Sequence, residues 1–196
     1  MPTGIALQDA RARLFAAATR LLEREGAAGL TSRALTDEAG VAKGVLHRYF
    51  SDFDSFLAEL LEDRIASMSA WYSALVDRTG EGELIDNVVD AVESFFRPPT
   101  MALISLVITN DRLRDRLRRE FPTGGIPLLA PAVRGLSAYL EAERGIGRLR
   151  ADAETGILAL TIVGTGHLLH GGELGAEPDR AAVFEVMESI LLPALP

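Results

Sequence analysis

The chain has 196 residues, 48 % of them hydrophobic and 24 % charged, with no cysteine and a formal net charge of −8. That length suits one ordinary domain or two small ones. The composition excludes a disordered chain, and the absence of thiols excludes a disulfide frame and a thiolate metal site. The negative balance argues against a surface that seeks nucleic acid everywhere. The charge is uneven, however: residues 1–57 hold six Arg and one Lys against seven acids, so the remaining 139 residues carry the whole deficit. No basic leader opens the sequence, and the most apolar stretch, GILALTIVGTGHLL, is too short and too rich in Gly and Thr for a membrane span. A soluble, cytoplasmic protein without a membrane partner is expected.

Strand signals are nearly absent, and helical periodicity runs through most of the chain. The first helix reads QDARARLFAAATRLLEREG, with Leu14, Ala18, Leu21 and Leu22 as its stripe and Gly26 as its stop. Thr31 caps a second, short helix that Gly40 ends, and residues 42–49 form a third. Ser51 and Asp52 cap a long fourth helix reaching about residue 77, after which Gly80 and Gly82 break the pattern. A fifth helix, ELIDNVVDAVESFF, stops at Pro98 and Pro99. TMALISLVIT and DRLRDRLRREF follow with a break near Asn110, and PTGGIP is the clearest loop. Helices over about 128–144, 152–170 and 178–194 close the chain. The last has Val183, Phe184, Met187, Ile190, Leu191 and Ala194 on one face. The expected fold is all-α, three short helices over residues 1–51 and a larger helical body over 52–196.

The second and third helices, joined by a tight glycine turn, have the dimensions of a helix-turn-helix. Leu35, Ala39, Val41, Leu46 and Phe50 fit inward positions, which leaves Lys43, Gly44, Val45, His47 and Arg48 for the outer face. In such a motif the second helix enters the major groove and the first braces on the backbone. Thr31, at a helix start, suits a phosphate contact. Val45 suits a thymine methyl, and Lys43 or Arg48 a guanine edge or a phosphate. The plainer reading is that His47 and Arg48 only solvate an exposed helix.

Residues 30–61, LTSRALTDEAGVAKGVLHRYFSDFDSFLAELL, resemble the DNA-binding segment of TetR-type transcriptional regulators. The resemblance lies in Thr31, Arg33, Leu35, Glu38, the Ala39–Gly40–Val41 turn, Lys43–Gly44, Leu46, Phe50 and Leu57. It implies a homodimer in which an N-terminal DNA-binding domain precedes a helical effector-binding and dimerisation domain, the last two long helices of each subunit forming a four-helix bundle with the partner's. It also implies double-stranded operator DNA and a small-molecule effector as partners, with Arg33 among the DNA-facing residues and repression as the commoner sign.

Several positions depart from the family's pattern. His47 stands where Tyr is usual and Phe53 where Lys is usual, both near the DNA backbone. Ala42 and Val45 stand where Ser and Thr are common, Thr36 where Ala is common, and Asp52 and Asp54 add negative charge. Backbone contacts supply much of the affinity through counterion release, so weak, salt-sensitive binding is expected, with a pH dependence from an imidazole at 47. A dimeric ligand-binding or interaction protein with a degenerate DNA reader is the alternative.

Met68, Trp71, Tyr72, Phe95, Phe96, Met101, Ile104 and Ile108 concentrate bulky, adaptable apolar groups in the middle helices. They read equally as plain core or as the wall of the effector cavity that the resemblance implies. His167 and His170 lie three apart, a spacing that also suits a metal with Glu173 as a third ligand. A role in the cavity or at the dimer face fits them better, and no cofactor is expected. The arginine-rich DRLRDRLRREF has Leu113, Leu117 and Phe121 on one face and acids within pairing distance, so it reads as a solvated amphipathic helix. No nucleophile elbow, P-loop or strand-borne glycine fingerprint is present, and the chain is not expected to be an enzyme.

Overall fold

The structure is a computed structural model that describes residues 4–120, 126–172 and 175–196. Every regular element in them is helical. In order these are α1 (Gly4–Gly29), α2 (Ser32–Glu38), α3 (Gly44–Tyr49), α4 (Phe53–Asp77), α5 (Leu84–Phe95) and α6 (Pro98–Thr109). Then come α7 (Asp111–Glu120), α8 (Leu129–Gly145), α9 (Thr155–His170), α10 (Arg180–Leu191) and a 3-10 turn at Leu192–Ala194. The all-α expectation holds.

Most boundaries fall where side chains and glycines put them. Gly26, at φ 67° and ψ −163°, interrupts α1 in a conformation that a Cβ disfavours. Thr31 opens α2 by accepting the Ala34 amide at 3.2 Å, and Gly40 at φ 63° turns the chain out of it. Asp52 accepts the Ser55 amide at 2.6 Å to start α4, and Asp179 accepts that of Ala182 at 2.9 Å to start α10. The break at Asn110 is a cap as well: its Oδ1 accepts the Leu113 amide at 3.0 Å. Several boundaries differ from expectation: α1 runs past Gly26 to Gly29, α9 begins at Thr155 and not at about 152, and α10 spans Arg180–Leu191 and not about 178–194. α3 begins at Gly44, two residues later than the pattern suggests. Pro98 opens α6 as well as ending what precedes it, because proline's missing N–H is no loss in a first turn.

Compactness divides the chain into two units, residues 1–63 with 98–124 and residues 64–97 with 125–196. α4 passes from one unit to the other at Asp63–Arg64, and α6 and α7 belong with the N-terminal helices. The cause is packing: α6 lies against α1, where Leu103, Ile104 and Val107 are buried, while Leu113 and Leu117 bury the inner face of α7. Leu14, Leu21, Leu22, Leu35, Leu46 and Leu61 complete this core. Phe50 meets Phe56 edge-on with ring centroids 5.1 Å apart, and Phe15 lies 5.7 Å from Phe56.

In the second unit α8 packs on α9, and α10 on α5 and α9. Its core includes a polar cluster. Asn87 donates to Tyr139 Oη at 3.0 Å and to the Glu81 carbonyl at 2.7 Å, and fully buried Glu143 accepts the Gly80 amide at 3.2 Å. Arg148 stands 3.3 Å from the Glu143 carboxylate. Burial, reinforced by Glu143, holds the Tyr139 phenol above its ordinary value. Much of the apolar stripe on α10 and its 3-10 extension is consumed here: Val183, Met187, Leu191 and Ala194 are buried within the chain. No single helix among the described residues is long and apolar enough to cross a membrane.

Candidate nucleic-acid interface and apolar cavity

The helix-turn-helix is clamped from behind by α1. Arg13 donates to the carbonyls of Ala39 at 2.8 Å and Gly40 at 3.4 Å, fixing the turn. Arg20 and Arg24 donate to the two carboxylate oxygens of Glu38 at 2.7 and 2.9 Å. These bonds, Arg20 first, hold the Glu38 carboxyl below the usual range. Sequence reasoning identified Glu38 but not its arginine partners, which read as ordinary charges of an amphipathic helix.

Leu35, Leu46 and Phe50 are buried, as the motif requires. Lys43, Gly44, His47 and Arg48 are exposed on α3, with Val45 partly exposed beside them. Thr31 and Arg33 are exposed on the α2 side, where Arg33 stands 3.7 Å from Asp37. Among the described residues Lys43 and Arg48 have no ion-pair partner, so both cations are available to an external anion. The seven positions therefore share two adjoining short helices, and α3 presents its polar face outward.

The departures sort themselves by environment. Thr36 is 1 % exposed, and its hydroxyl donates back to the Ser32 and Arg33 carbonyls, so it is a satisfied core residue. Phe53 stacks on Phe56 at 5.8 Å, and Arg11 sits over the Phe15 and Phe50 rings at 5.3 and 5.6 Å. An aromatic cluster thus occupies the place where a cation is usual. Asp52 lies 3.6 Å from Arg116, and Asp54 accepts from Asn110 Nδ2 at 3.0 Å. Asn110, between α6 and α7, and Arg116, within α7, thereby engage both acids at the head of α4. Hydrogen bonds from Ser55, and then the charge of Arg116, hold the Asp52 carboxyl below its ordinary range.

Arg114, Arg116 and Arg118 of the arginine run are engaged within the chain, whereas Arg112 and Arg119 are exposed. Arg114 donates to the carbonyls of Val107 and Ile108 at the end of α6 and pairs with Asp111, and Arg118 stands 3.7 Å from Asp115. Phe121 lies outside the described residues.

The second unit holds an apolar cavity lined by Trp71, Tyr72, Val92, Phe95, Phe96 and Leu136, together with Ala91, Ala132 and Val163. Its free volume is only ≈ 20 Å³, room for about one water. Two rings fill the rest. A Cβ at Gly135 would collide with the Tyr72 ring, and one at Gly166 would stand 2.5 Å from Phe96 Cε2. Four of the ten residues named from sequence thus line the cavity. His167 and His170 lie behind Phe96, stacked on its ring at 6.3 and 5.5 Å. His170 Nδ1 is 2.9 Å from the Gly166 carbonyl, whereas His167 Nδ1 is buried without a hydrogen-bond partner among the described residues. Met68 is buried away from the lining. Met101, Ile104 and Ile108 lie on α6 in the first unit, with Ile104 in its core and Ile108 at 48 % exposure. Val92, Leu136 and Val163 carried no distinguishing sequence signal; the glycines at 135 and 166 did.

Tyr72 Oη is buried and has no hydrogen-bond partner among the described residues. Burial holds its phenol above the ordinary value, with Arg134 and Arg64 pulling it back. The described residues contain no group of three or more His, Asp or Glu able to hold a metal, and Glu173 lies outside them. On α9, Ile157, Leu160 and Leu168 are exposed at 63 %, 61 % and 47 %, and Gly164 between them has open space before it. Their spacing puts all four on one helical face.

Residues 14–60 match the family model "Bacterial regulatory proteins, tetR family". No curated protein matches the sequence. Among solved structures, a TetR-family transcriptional regulator from Agrobacterium tumefaciens superposes with a TM-score of 0.67 at 17% identity, covering 96% of this chain and 99% of that one. E. coli NemR in its reduced form gives 0.68 at 19%, covering 96% and 98%. The transcriptional regulator FadR from Bacillus subtilis, in complex with stearoyl-CoA, gives 0.58 at 14%, covering 92% and 95%. At these identities the likeness to the solved structures is one of fold, and it extends over nearly the whole chain.

Proposed function

We propose that this chain, a member of the tetR family of bacterial regulatory proteins by its residues 14–60 and by its fold, is a homodimeric repressor released from a palindromic operator by a small, largely apolar ligand. The observation that carries this reading is the outer face of α3. Lys43, Gly44, Val45, His47 and Arg48 project from a helix whose inner side is fixed by Leu46, and α1 braces the turn before it. In each subunit α3 reads one half-site, with Thr31 and Arg33 on the flanking backbone. A two-fold dimer matches half-sites about 34 Å apart.

The exposed apolar face of α9 supports the dimer. Ile157, Leu160 and Leu168 lie in solvent in the single chain, and Gly164 lets a second backbone approach. The cavity at Trp71 and Phe96 supports an effector site in the residues 64–97 and 125–196, and binding of stearoyl-CoA by the B. subtilis relative of the same fold accords with an apolar ligand. The effector acts through α4, along which the chain passes from the reading unit to the binding unit. By linkage it binds the DNA-bound protein less tightly. No catalytic role is assigned to any residue.

Selection of bound sequences from random duplex DNA tests the reading. A palindromic winner whose affinity survives near-physiological salt is expected. A second reading, a dimeric ligand-binding protein with a degenerate DNA reader, draws on Phe53, whose ring joins the aromatic cluster where a cation is usual. His47→Tyr with Phe53→Lys separates the two. A working reader gains affinity at its own operator, and a degenerate one gains only nonspecific, salt-sensitive binding.

A further inference from the structure

The apolar cavity has a roomier neighbour. Between α4 and α5 lies an outer cleft of ≈ 230 Å³, whose wall includes Trp71, Ala74 and Ala91 and the polar Arg78, Asp90 and Ser94. Trp71 and Ala91 belong to both walls. Ala91 offers only a methyl group, so the Trp71 indole is the partition between the two spaces. It meets the Tyr72 ring edge-on, with centroids 4.9 Å apart.

We propose that the effector is a neutral molecule with a compact apolar body and one acceptor oxygen, which enters from the outer cleft by turning Trp71 aside and accepts the hydrogen bond of Tyr72 Oη. The proposal rests on reading the second unit as the effector-binding part and names the ligand class of that same site.

Tyr72 Oη is buried and has no acceptor among the described residues, and a ligand oxygen supplies one. Burial keeps the phenol protonated, so it meets a ligand as a donor. Apart from that hydroxyl and the Trp71 N–H, the side chains lining the inner cavity are hydrocarbon, and none is charged. An ion drawn inside would shed its water without finding a counter-charge. The charges of the outer cleft are already matched. Arg78 donates to Asn87 Oδ1 and stands 3.7 Å from Asp90, which also accepts from Arg180 at 2.8 Å. Neither space therefore selects a charged ligand. A ketone, ester or lactone oxygen satisfies the hydroxyl, whereas a pure hydrocarbon leaves it unmet.

The inner volume of ≈ 20 Å³ admits no such body in the present arrangement. Turning the indole out to solvent joins the two spaces and adds the room it vacates. The result is on the order of 300 Å³, the lower end for small-ligand sites. It also uncovers the Tyr72 ring, so entry and recognition follow from one side-chain movement.

Trp71 is the only tryptophan, so its fluorescence reports its own displacement. The full chain is titrated with butylbenzene, butyrophenone, phenylbutyrate and phenylbutylammonium, which share a ring and differ in acceptor and charge. A saturable change in emission is expected with butyrophenone, about three- to tenfold tighter than with butylbenzene, the equivalent of one neutral hydrogen bond. Both charged probes are expected to bind more weakly than butyrophenone. Tyr72→Phe keeps the ring and should erase the ketone's advantage while leaving butylbenzene unchanged. Without ligand it should be no less stable to urea than the parent, because it removes a buried donor that lacks a partner. A loss of stability would show that the hydroxyl is already satisfied within the chain and would overturn the proposal. Ala74→Phe, at an exposed position in the outer cleft, should slow association, and an unchanged rate overturns entry by that route. Butylbenzene or a charged probe as tight as the ketone overturns the ligand class while leaving an effector site. No saturable response to any of the four overturns this proposal and the effector site together.

Discussion

The Cβ that Gly166 lacks would stand 2.5 Å from Cε2 of Phe96, so the backbone of α9 and the ring at the end of α5 fill one space. Gly166→Ala gains up to about 1 kcal/mol of helix propensity but overpacks the site, at a cost of about 1–3 kcal/mol. A net loss of stability is expected in urea unfolding, with a changed Trp71 emission as Phe96 is displaced. Gly156→Ala, on the same helix with ordinary contact space, is expected to stabilise instead. Equal effects at both positions would mean that the ring does not rest on Gly166.

The outward face of α9 gives a prediction about assembly. Leu160→Asp, at a position 61 % exposed in the single chain, is expected to leave the helical circular-dichroism spectrum intact. Sedimentation should show a shift from dimer towards monomer, because the charge would be buried unpaired in the interface. An unchanged sedimentation coefficient at low micromolar protein would exclude this face from the dimer.

Glu38 ties α1 to the helix-turn-helix, and its carboxyl titrates below the ordinary range when folded. At acid pH the unfolded chain therefore takes up this proton first. The stabilisation is present above the ordinary glutamate range and is lost as pH falls through the lower folded value. Glu38→Gln should accordingly be less stable than the parent at pH 7, with the difference shrinking as the solution is acidified below about pH 4.3, the ordinary glutamate value. A difference independent of pH would show that the bonds from Arg20 and Arg24 contribute no such linkage.

Thr31 accepts the Ala34 amide and faces solvent. Thr31→Ala should lower stability by about 1 kcal/mol through the lost cap. Thr31→Ser should restore most of it, as well as any DNA affinity that depends on the hydroxyl. Restored stability without restored affinity would point to the methyl group as the DNA contact.

Lys43 caps the start of α3 and Arg48 lies on it, and both are exposed cations. If Lys43 contacts a phosphate, Lys43→Ala weakens binding to all sequences alike and lowers the slope of log affinity against log salt by about 1. If Arg48 reads a base, Arg48→Ala relaxes sequence preference at one operator position, at a cost of about 1–3 kcal/mol. Selection experiments on each variant measure both outcomes.

What the sequence determined by itself was whatever depends on near neighbours. Thr31, Asp52 and Asn110 cap or break helices through amides three residues away, and Gly26 and Gly40 turn the chain because they lack a Cβ. Such effects leave a mark at fixed short spacing, so helix order, the helix-turn-helix and the outward set from Lys43 to Arg48 were legible. The tertiary structure decided which distant residues share an environment. It joined α6 and α7 to the N-terminal helices, so that Ile104 and Ile108 belong to one unit and Trp71 and Phe96 to the other. It also engaged Asp52 with Arg116 and placed Tyr72 against Gly135. An apolar side chain looks the same in sequence whether it faces a core, a cavity or a second chain. Only the packing of helices far apart in sequence assigns it to one of them.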